Sequence, residues 1–266
     1  MGKDSSLDWR AGMDPTVPNS ARMYDYYLGG SNSFPADIAA ARRLIEIQPL
    51  IEPASRENRH FLRRVVWHLA DDLGIRQFLD IGAGLPTAGN VHEVAPRARV
   101  LYVDHDPVVG AHARALMAGE DRVQVLQGDA REPDAILGDP VTTGFLDFEQ
   151  PIGLLMIGLL HFVPDRDGAH KVVPPFLRAL PPGSYLAISH GMTDGFDAGT
   201  VDGISQVYED AMPYQLRTRL QIAAFFDGLE MLEPGLVPIT EWRPDGVGEG
   251  ITAQEVGVLG GVARIP

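Results

Sequence analysis

The stretch Phe78–Gly84, with the sequence FLDIGAG, decides the fold of this chain. Its large apolar residues are typical of a buried strand, and the two glycines after the acid indicate a sharp turn. Gly82 and Gly84 have no Cβ atom, so a ligand can approach the main chain where the strand leads into a helix. All nucleotide-binding α/β sheets share this geometry, so the glycine turn alone does not identify the ligand. The acidic residues farther along the chain are needed for that.

After Gly74 the pattern changes to short apolar strands that alternate with helices, which predicts a mostly parallel sheet of an α/β protein. No clear helix separates residues 230–242 from residues 255–265, so these segments predict an antiparallel hairpin that brings the sheet to seven strands. The other strands are predicted near residues 76–81, 98–103, 122–127, 151–158 and 183–190, and the helices near 88–95, 107–118, 132–138, 166–180 and 197–228.

The first 74 residues contain no strand pattern. Residues 1–19 indicate a loose leader, and residues 21–30 predict a short aromatic helix stopped by paired glycines. Two further helices are expected, one opening at Pro35 and one following Pro53. We therefore expect residues 1–74 to form a leader and helical cover within the same domain as a core of residues 75–266.

The formal net charge of −14 disfavours nucleic acid as the main partner, because binding to phosphates needs a concentrated basic surface. Four arginines do recur at helical spacing. We interpret them as a solvated helix face rather than a binding patch. They are Arg56, Arg59, Arg63 and Arg64.

The sequence contains no cysteine, which excludes disulfides, thiolate zinc sites and cysteine nucleophiles. It shows no secretion signal at its start, and its longest apolar run, residues 152–160, is of strand length. No His-x-x-x-His pair or carboxylate cluster stands at ligand spacing on one element, so no metal site is predicted. We expect a cytoplasmic protein that does not bind a membrane; the oligomeric state stays open.

Acids end three neighbouring predicted strands, at Asp80, Asp104 and Asp129. Successive loops of a parallel sheet meet at its carboxyl edge, where ligands of such folds bind. A carboxylate at Asp104 can accept both hydroxyls of a ribose, and one at Asp129 can accept a hydrogen bond from an adenine amino group, beside the amide of Ala130. Asp106, before Pro107, is interpreted as a helix cap instead.

The loop after Gly84 argues against a nucleotide that carries phosphate. A dinucleotide fingerprint needs a third glycine, but position 87 is Thr, and Pro86 removes one of the amides that pyrophosphate requires. No phosphate-binding Gly-Lys-Ser/Thr loop is present. The residues favour a nucleoside such as S-adenosylmethionine.

This pattern resembles the class I S-adenosylmethionine-dependent methyltransferases over residues 76–190. Phe78–Gly84 is similar to their first motif, Val103-Asp104 to the ribose acid, and residues 127–130 to the adenine motif. The resemblance implies a Rossmann-like methyltransferase fold whose last strand is antiparallel.

A closer resemblance, to a bacterial S-adenosyl methyltransferase family formerly catalogued as a domain of unknown function, covers nearly the whole chain. Residues 22–30, 104–116 and 155–164 resemble its motifs, although Ser31-Asn32-Ser33 stands where the family often has Lys-Asp-Asn. The expected cofactor contacts are Tyr24, Tyr26, Gly30, Asp80, Gly82, Ala83, Gly84, Asp104, His105, Asp129 and Ala130. We expect the N-terminal helices to fold over the cofactor, with Tyr24 or Tyr26 at its methionine end.

Two histidines are candidates for a general base: His161 follows the fourth predicted strand and His190 ends the fifth, and His161 is the chosen candidate. Tyr208, Tyr214 and Arg217 belong to the predicted helical region 197–228, where they either shape an acceptor pocket or pack against the core. The expected function is transfer of a methyl group to oxygen or nitrogen of a small molecule. The alternatives are a protein that binds the nucleoside without catalysis, and a nicotinamide-dependent oxidoreductase.

Overall fold

The computed structural model describes residues 14–86, 89–116, 119–209 and 213–266. Predictions that involve residues 1–13, 87–88, 117–118 and 210–212 lie outside these ranges.

A sheet of eight strands forms the centre of the described chain, in the order β3-β2-β1-β4-β5-β8-β6, with β7 also paired to β8. The first five strands are parallel, and β8 runs antiparallel to β5, β6 and β7. This confirms the predicted α/β class with an antiparallel end. The strands are β1 (Gln77–Ile81), β2 (Arg99–Asp104), β3 (Val123–Gln127), β4 (Gly153–Ile157), β5 (Tyr185–Gly191), β6 (Glu230–Met231), β7 (Val237–Pro238) and β8 (Val258–Arg264).

The predicted strand over residues 230–242 is wrong in detail. Two segments of two residues each, β6 and β7, replace it, because a turn closed by a 2.7 Å hydrogen bond from the Gly235 amide to the Leu232 carbonyl separates them. The edge hairpin is thus broken into two short contacts with β8.

Helices cover both faces of the sheet and its carboxyl edge. In the described residues they are α1 (Ser20–Tyr27), α2 (Pro35–Ile47), α3 (Ile51–Trp67) with a π-turn (His68–Asp72), α4 (Val91–Val94), α5 (Pro107–Leu116), α6 (Pro133–Gly138), α7 (Pro140–Phe145), α8 (Val173–Ala179), α9 (Ala198–Glu209) and α10 (Arg219–Ala223). The three expected N-terminal helices are all present. Single-turn 3₁₀ segments occur at Leu160–Phe162, Asp165–Asp167, Ala169–Lys171, Ala224–Phe226 and Ile239–Glu241.

One predicted helix is much shorter than expected. Gly168, with φ of 88°, ends a 3₁₀ turn, so the helix predicted over 166–180 begins only at Val173. The predicted helical region 197–228 contains α9 and α10 in its described part, because Pro213 cannot continue a helix and Thr218 caps a new one. The chain between these helices can therefore reach the carboxyl edge of the sheet.

Alternate residues of the strands face two different cores. Phe78 of β1 packs with α3, together with Val100 and Leu155 of the neighbouring strands. Leu79 and Ile81 face the opposite side. This alternation places the residues at even positions of β1, including Asp80, on the α3 side of the sheet.

Helix α3 does not present the solvated arginine face that the sequence indicated. Only Arg63 is exposed, whereas Arg64 is buried and its guanidinium donates to the carbonyl of Ile239 at 2.6 Å and of Trp242 at 3.0 Å. Arg64 also pairs with buried Glu57 at 3.1 Å. The prediction is wrong because α3 packs between the sheet and the segment that follows β7, so even its charged residues find partners inside.

We expect Arg64→Ala to lower the free energy of unfolding by about 3–5 kcal/mol, because it leaves the Glu57 carboxylate buried without its partner. Arg63→Ala, on the exposed side of the same helix, serves as the control and should change it by less than about 0.5 kcal/mol. Urea unfolding followed by circular dichroism measures both. Equal losses in the two variants would contradict the account of α3.

Candidate functional site

A cavity of about 210 Å³ lies along the carboxyl edge of the parallel strands. One end is formed by the turns after β1 and β2. The other end is formed by residues of α9 and of the loops that flank β5 and β8. Because a single water needs only about 10–15 Å³, the cavity has room for an organic ligand.

Two buried carboxylates, Asp80 and Asp104, line the first end of this cavity. Asp80 lies near the end of β1 on the α3 side, and Asp104 ends β2 on the same side, since Val100 and Tyr102 also pack there. The structure thus brings together two of the three acids that the sequence singled out.

Backbone amides hold the Asp104 carboxylate. Its Oδ2 accepts from the Gly84 amide at 2.9 Å, and its Oδ1 accepts from the Asp106 amide at 2.9 Å. Burial raises the pKa of Asp104, and these two hydrogen bonds oppose that rise. A carboxylate oriented in this way keeps lone pairs that can accept hydrogen bonds from a ligand's hydroxyl groups.

Burial raises the pKa of Asp80 to about 7; the Arg59 guanidinium opposes this rise, and the Asp104 charge adds to it. Arg59 of α3 lines the same end of the cavity, which corrects its assignment to a solvated face. A cation placed beside Asp80 would favour its ionised form. The first end of the cavity is therefore suited to a positively charged ligand.

The turn after β1 leaves its backbone open to the cavity. Gly82 and Gly84 have φ of 74° and 66°, a region that favours glycine. A Cβ at Gly82 would come within 2.6 Å of the Leu159 side chain, whereas one at Gly84 would meet nothing within 4 Å. Together with Ala83, these residues line the cavity, and their contact with the cofactor stays a prediction.

A chain of hydrogen bonds crosses the floor of the cavity between α1, α3 and the ends of β4 and β5. The Gly158 amide donates to Ser189 Oγ at 2.9 Å, and Ser189 Oγ donates to Asn58 Oδ1 at 2.6 Å. Asn58 Nδ2 then donates to the Tyr24 hydroxyl at 3.2 Å, which donates to the Ser55 carbonyl at 3.0 Å. Tyr24 is therefore held in the cavity wall by fixed polar partners.

The start of α1 is attached to the loop that follows β2. Asn19 caps α1, and its Nδ2 donates to Asp106 Oδ2 at 2.7 Å. Asp106 Oδ1 accepts from the Val108 amide at 2.7 Å, which agrees with the predicted capping role at α5. Asn19 and Ser20 line the cavity, so α1 closes one of its sides.

Four of the predicted cofactor contacts lie outside the described cavity lining. Asp129 follows β3 and forms an ion pair with Arg131, which lowers the pKa of its carboxyl; Ala130 follows it and packs into the core on the far side of the sheet. Tyr26 packs among the helices of the cover, and the exposed Gly30 donates its amide to the Asp25 carbonyl at 2.8 Å. His105 does line the cavity, with a side chain that is 56% exposed.

His161 lies in the 3₁₀ turn after β4 and lines the cavity, whereas His190 lies behind it with its ring 5.3 Å away. Burial lowers the pKa of His161 well below its usual value, and His190 and Arg217 lower it further. Its Nδ1 accepts from the Gly191 amide at 3.4 Å, so the neutral ring carries its proton on Nε2.

Arg217 fixes the turn that carries His161. Its guanidinium donates to the carbonyls of Leu160 and Val163, each at 2.9 Å, and pairs with Asp165 at 2.7 Å. It also donates to Nε2 of His190 at 2.7 Å. Of the two roles that the sequence left open for Arg217, the structure supports packing beneath the site.

The far end of the cavity is aromatic. Tyr208 and Tyr214 stack with ring centres 4.4 Å apart, and Phe162 meets both rings at 5.4 Å. All three line the cavity. The two tyrosines therefore contribute to a pocket rather than only to the core.

Sequence reasoning missed Asn58, Ser189 and Arg59 at this site. Asn58 continues the apolar stripe of α3 at helical spacing from Phe61 and Leu62, and a polar residue on a buried stripe is the signal that could have found it. Ser189 carried no such signal, because it can donate to Asn58 only when the fold places β5 next to α3.

The described residues contain no group of three or more acidic or histidine side chains arranged to hold a metal ion. Within the same residues, no helix is both long and apolar enough to cross a bilayer.

The comparisons with known proteins agree with this geometry. The model of a family described as S-adenosyl methyltransferase matches residues 8–266. A DUF574 family protein from Streptomyces avermitilis is 39% identical, with a TM-score of 0.89 over 95% of this chain and 99% of its own. A protein from Thermobifida fusca described as a methyltransferase is 36% identical, with a TM-score of 0.89 over 96% of this chain and 97% of its own.

An O-methyltransferase family protein from Burkholderia thailandensis, 17% identical with a TM-score of 0.51, covers 76% of this chain and 55% of its own, and supports the fold alone. No curated protein matches the sequence.

The sheet order, the glycine turn and the acid-lined edge define a methyltransferase with a Rossmann-like fold. The chain belongs to the S-adenosyl methyltransferase family whose model spans residues 8–266, and S-adenosylmethionine is its cofactor. The resemblance drawn from the sequence motifs is confirmed.

The residues at the first end of the cavity fit this cofactor. The buried carboxylates of Asp80, Asp104 and Asp106 line the cavity there, and Arg59 of α3 lines it beside them. Such an edge suits a ligand that carries an ammonium and a sulfonium group. The family match sets the oxidoreductase alternative aside.

We expect Asp80→Asn to stabilise the ligand-free protein, and more so as the pH rises. The folded pKa of about 7 lies above the ordinary value of 3.8, so ionising Asp80 costs stability progressively between these two pH values. The difference of about 3 pKa units corresponds to at most about 4 kcal/mol at pH 8, and it should nearly vanish at pH 4.

Urea unfolding at both pH values measures this difference, with Asp121→Asn, at an exposed position, as the control. A variant no more stable than the parent at pH 8 would contradict the burial account of Asp80.

Proposed function

We propose that this protein transfers a methyl group from S-adenosylmethionine to an oxygen or nitrogen atom of a small molecule. The observation that carries the proposal is one continuous cavity that joins the Asp80–Asp104 edge to His161 and the aromatic end. Helices and loops of the same chain wall this space, which suits a small acceptor rather than a polymer.

For the cofactor, we propose that Asp104 accepts the two ribose hydroxyls and that Asp80 faces the positively charged part of the molecule. Gly82, Ala83 and Gly84 leave room for its close approach. Asp129 and the Ala130 amide would contact the adenine, with Asp129 keeping its ion pair to Arg131. Tyr24 borders the cavity, His105 covers its exposed rim, and Tyr26 and Gly30 have no contact in this proposal.

S-adenosylmethionine supplies a methyl group on a positively charged sulfur, which an acceptor lone pair can displace. The chain's part is to align the acceptor and to exclude bulk solvent from the transferring methyl group. The new bond joins the acceptor atom to the methyl carbon, and the electron pair of the broken carbon–sulfur bond stays on sulfur. We propose that the Nε2–H of neutral His161 donates a hydrogen bond to the acceptor atom and positions it, and that the methylated acceptor then loses its proton to water.

Two further features of the sequence support this proposal. A net charge of −14 disfavours a nucleic-acid acceptor, and a sequence without cysteine is compatible with the cytoplasm. The rival is a protein that binds the cofactor or its product without catalysis. Release of S-adenosylhomocysteine on incubation with S-adenosylmethionine and a cell extract separates the two, because the binding protein would release none.

We expect Asp104→Asn to weaken binding of S-adenosylhomocysteine about 100-fold, because charge-assisted hydrogen bonds to the ribose are lost. Asp121→Asn, outside the cavity, should leave the dissociation constant unchanged. Isothermal titration calorimetry measures both constants. Unaltered binding in the Asp104 variant would remove the ribose contact from the proposal.

We expect His161→Ala to lower the rate of S-adenosylhomocysteine formation at least about 100-fold and to leave binding of S-adenosylhomocysteine within about twofold. Because burial holds the pKa of His161 well below its usual value, the parent enzyme should show no loss of rate from this group between pH 6 and 9. Turnover with the extract measures the first effect, and calorimetry the second. Normal turnover in the variant would rule His161 out.

A further inference from the structure

The charged residues of the described cavity wall are not evenly distributed. Asp80 and Asp104 lie at the ends of β1 and β2, His105 and Asp106 follow β2, and the charge of Arg59 acts on Asp80 from α3. The opposite end, which we call the aromatic chamber, is walled by uncharged side chains. The aromatic chamber comprises Phe162, Phe196, Ile204, Tyr208, Tyr214 and Leu216.

The buried guanidinium behind His161 already has partners. Arg217 pairs with Asp165 and donates to two carbonyls and to His190. Among the described residues that wall the aromatic chamber, an acceptor's carboxylate or ammonium group would meet no counter-charge. Burial of an unpaired charge costs several kcal/mol, which opposes such acceptors.

The walls of the aromatic chamber have the geometry of an aromatic binding pocket. Tyr214 is the central residue, because its ring is 4.4 Å from that of Tyr208, 5.4 Å from that of Phe162 and 5.2 Å from that of His161. Tyr214 is only half-buried, so one part of its ring faces the cavity. Aromatic rings arranged in this way favour a flat ring over an aliphatic one of the same size.

His161 supplies the polar group at the border between the two ends. Its Nδ1 accepts from the Gly191 amide, which leaves the Nε2–H to donate to a neutral hydroxyl oxygen. We propose that the acceptor is an uncharged aromatic molecule whose ring occupies the aromatic chamber and whose hydroxyl oxygen accepts a hydrogen bond from His161. This inference rests on the proposed methyl transfer and specifies its substrate class.

The test uses probes that share a two-ring frame: 2-naphthol, 2-naphthoate, 2-naphthylmethylammonium and decahydro-2-naphthol. Calorimetric titration of the full chain with saturating S-adenosylhomocysteine should show 2-naphthol binding about 100-fold more tightly than the two charged probes. Without S-adenosylhomocysteine, 2-naphthol is compared with 2-naphthoate and the aliphatic alcohol, because Asp80 and Asp104 would then attract the ammonium probe. In both titrations 2-naphthol should bind about fivefold more tightly than the aliphatic alcohol. A charged probe that binds as well as 2-naphthol in its comparison overturns the proposal, and equal binding of the aliphatic alcohol overturns its aromatic part.

Variants at Tyr214 then test whether the probe binds in the aromatic chamber. Tyr214→Ala should weaken 2-naphthol about tenfold, whereas Tyr214→Phe, which keeps the ring, should stay within twofold. Phe148→Ala, in the loop before β4 at the other edge of the sheet, is the control and should bind like the parent. Unchanged binding in Tyr214→Ala would overturn the assignment of the aromatic chamber.

The two proposals fail in different ways. If S-adenosylhomocysteine does not bind, the proposed function falls, while the ranking of probes without it still tests the aromatic chamber. If S-adenosylhomocysteine binds but the four probes bind equally or not at all, the substrate class falls and the methyl transfer stands.

Discussion

The site depends on keeping two carboxylates, Asp80 and Asp104, close together and out of water. Two backbone amides satisfy Asp104, whereas Asp80 relies on the nearby charge of Arg59. Burial raises the pKa of both acids, and a cationic ligand would favour their ionised forms. Ionising these two acids costs free energy when the site is empty, and the positive charge of the cofactor would offset that cost.

Helix α3 links this edge to the rest of the molecule. One side of the helix carries Asn58 and Arg59 to the cavity, and another buries Arg64 against the segment that follows β7. Asn58 also connects Tyr24 of α1 to Ser189 at β5. Helix α3 therefore joins the helical cover to the sheet. It packs on the sheet itself, whereas the sequence predicted a helix of the cover.

The sequence was sufficient to predict the parallel strands, the glycine turn and the acids at the ends of β1 and β2, because these features are local patterns. It was not sufficient for Arg59 and Arg64, since the environment of a charged residue on a helix depends on what packs against each face. The break within 230–242 comes from the turn between Leu232 and Gly235, a local feature that the apolar pattern of this segment masked. Tyr214 became a cavity residue only when the chain after α9 folded back to the turn of His161.

The central claim is that the Asp104 carboxylate accepts hydrogen bonds from the ribose of the cofactor, and that the turn at Gly82 and Gly84 contacts the nucleoside. A crystal structure of the protein with S-adenosylhomocysteine tests this claim most directly. We predict that both ribose hydroxyls lie within hydrogen-bond distance of the Asp104 carboxylate, with the nucleoside beside Gly82. A nucleoside bound elsewhere, or an Asp104 side chain turned away from the sugar, would contradict the account.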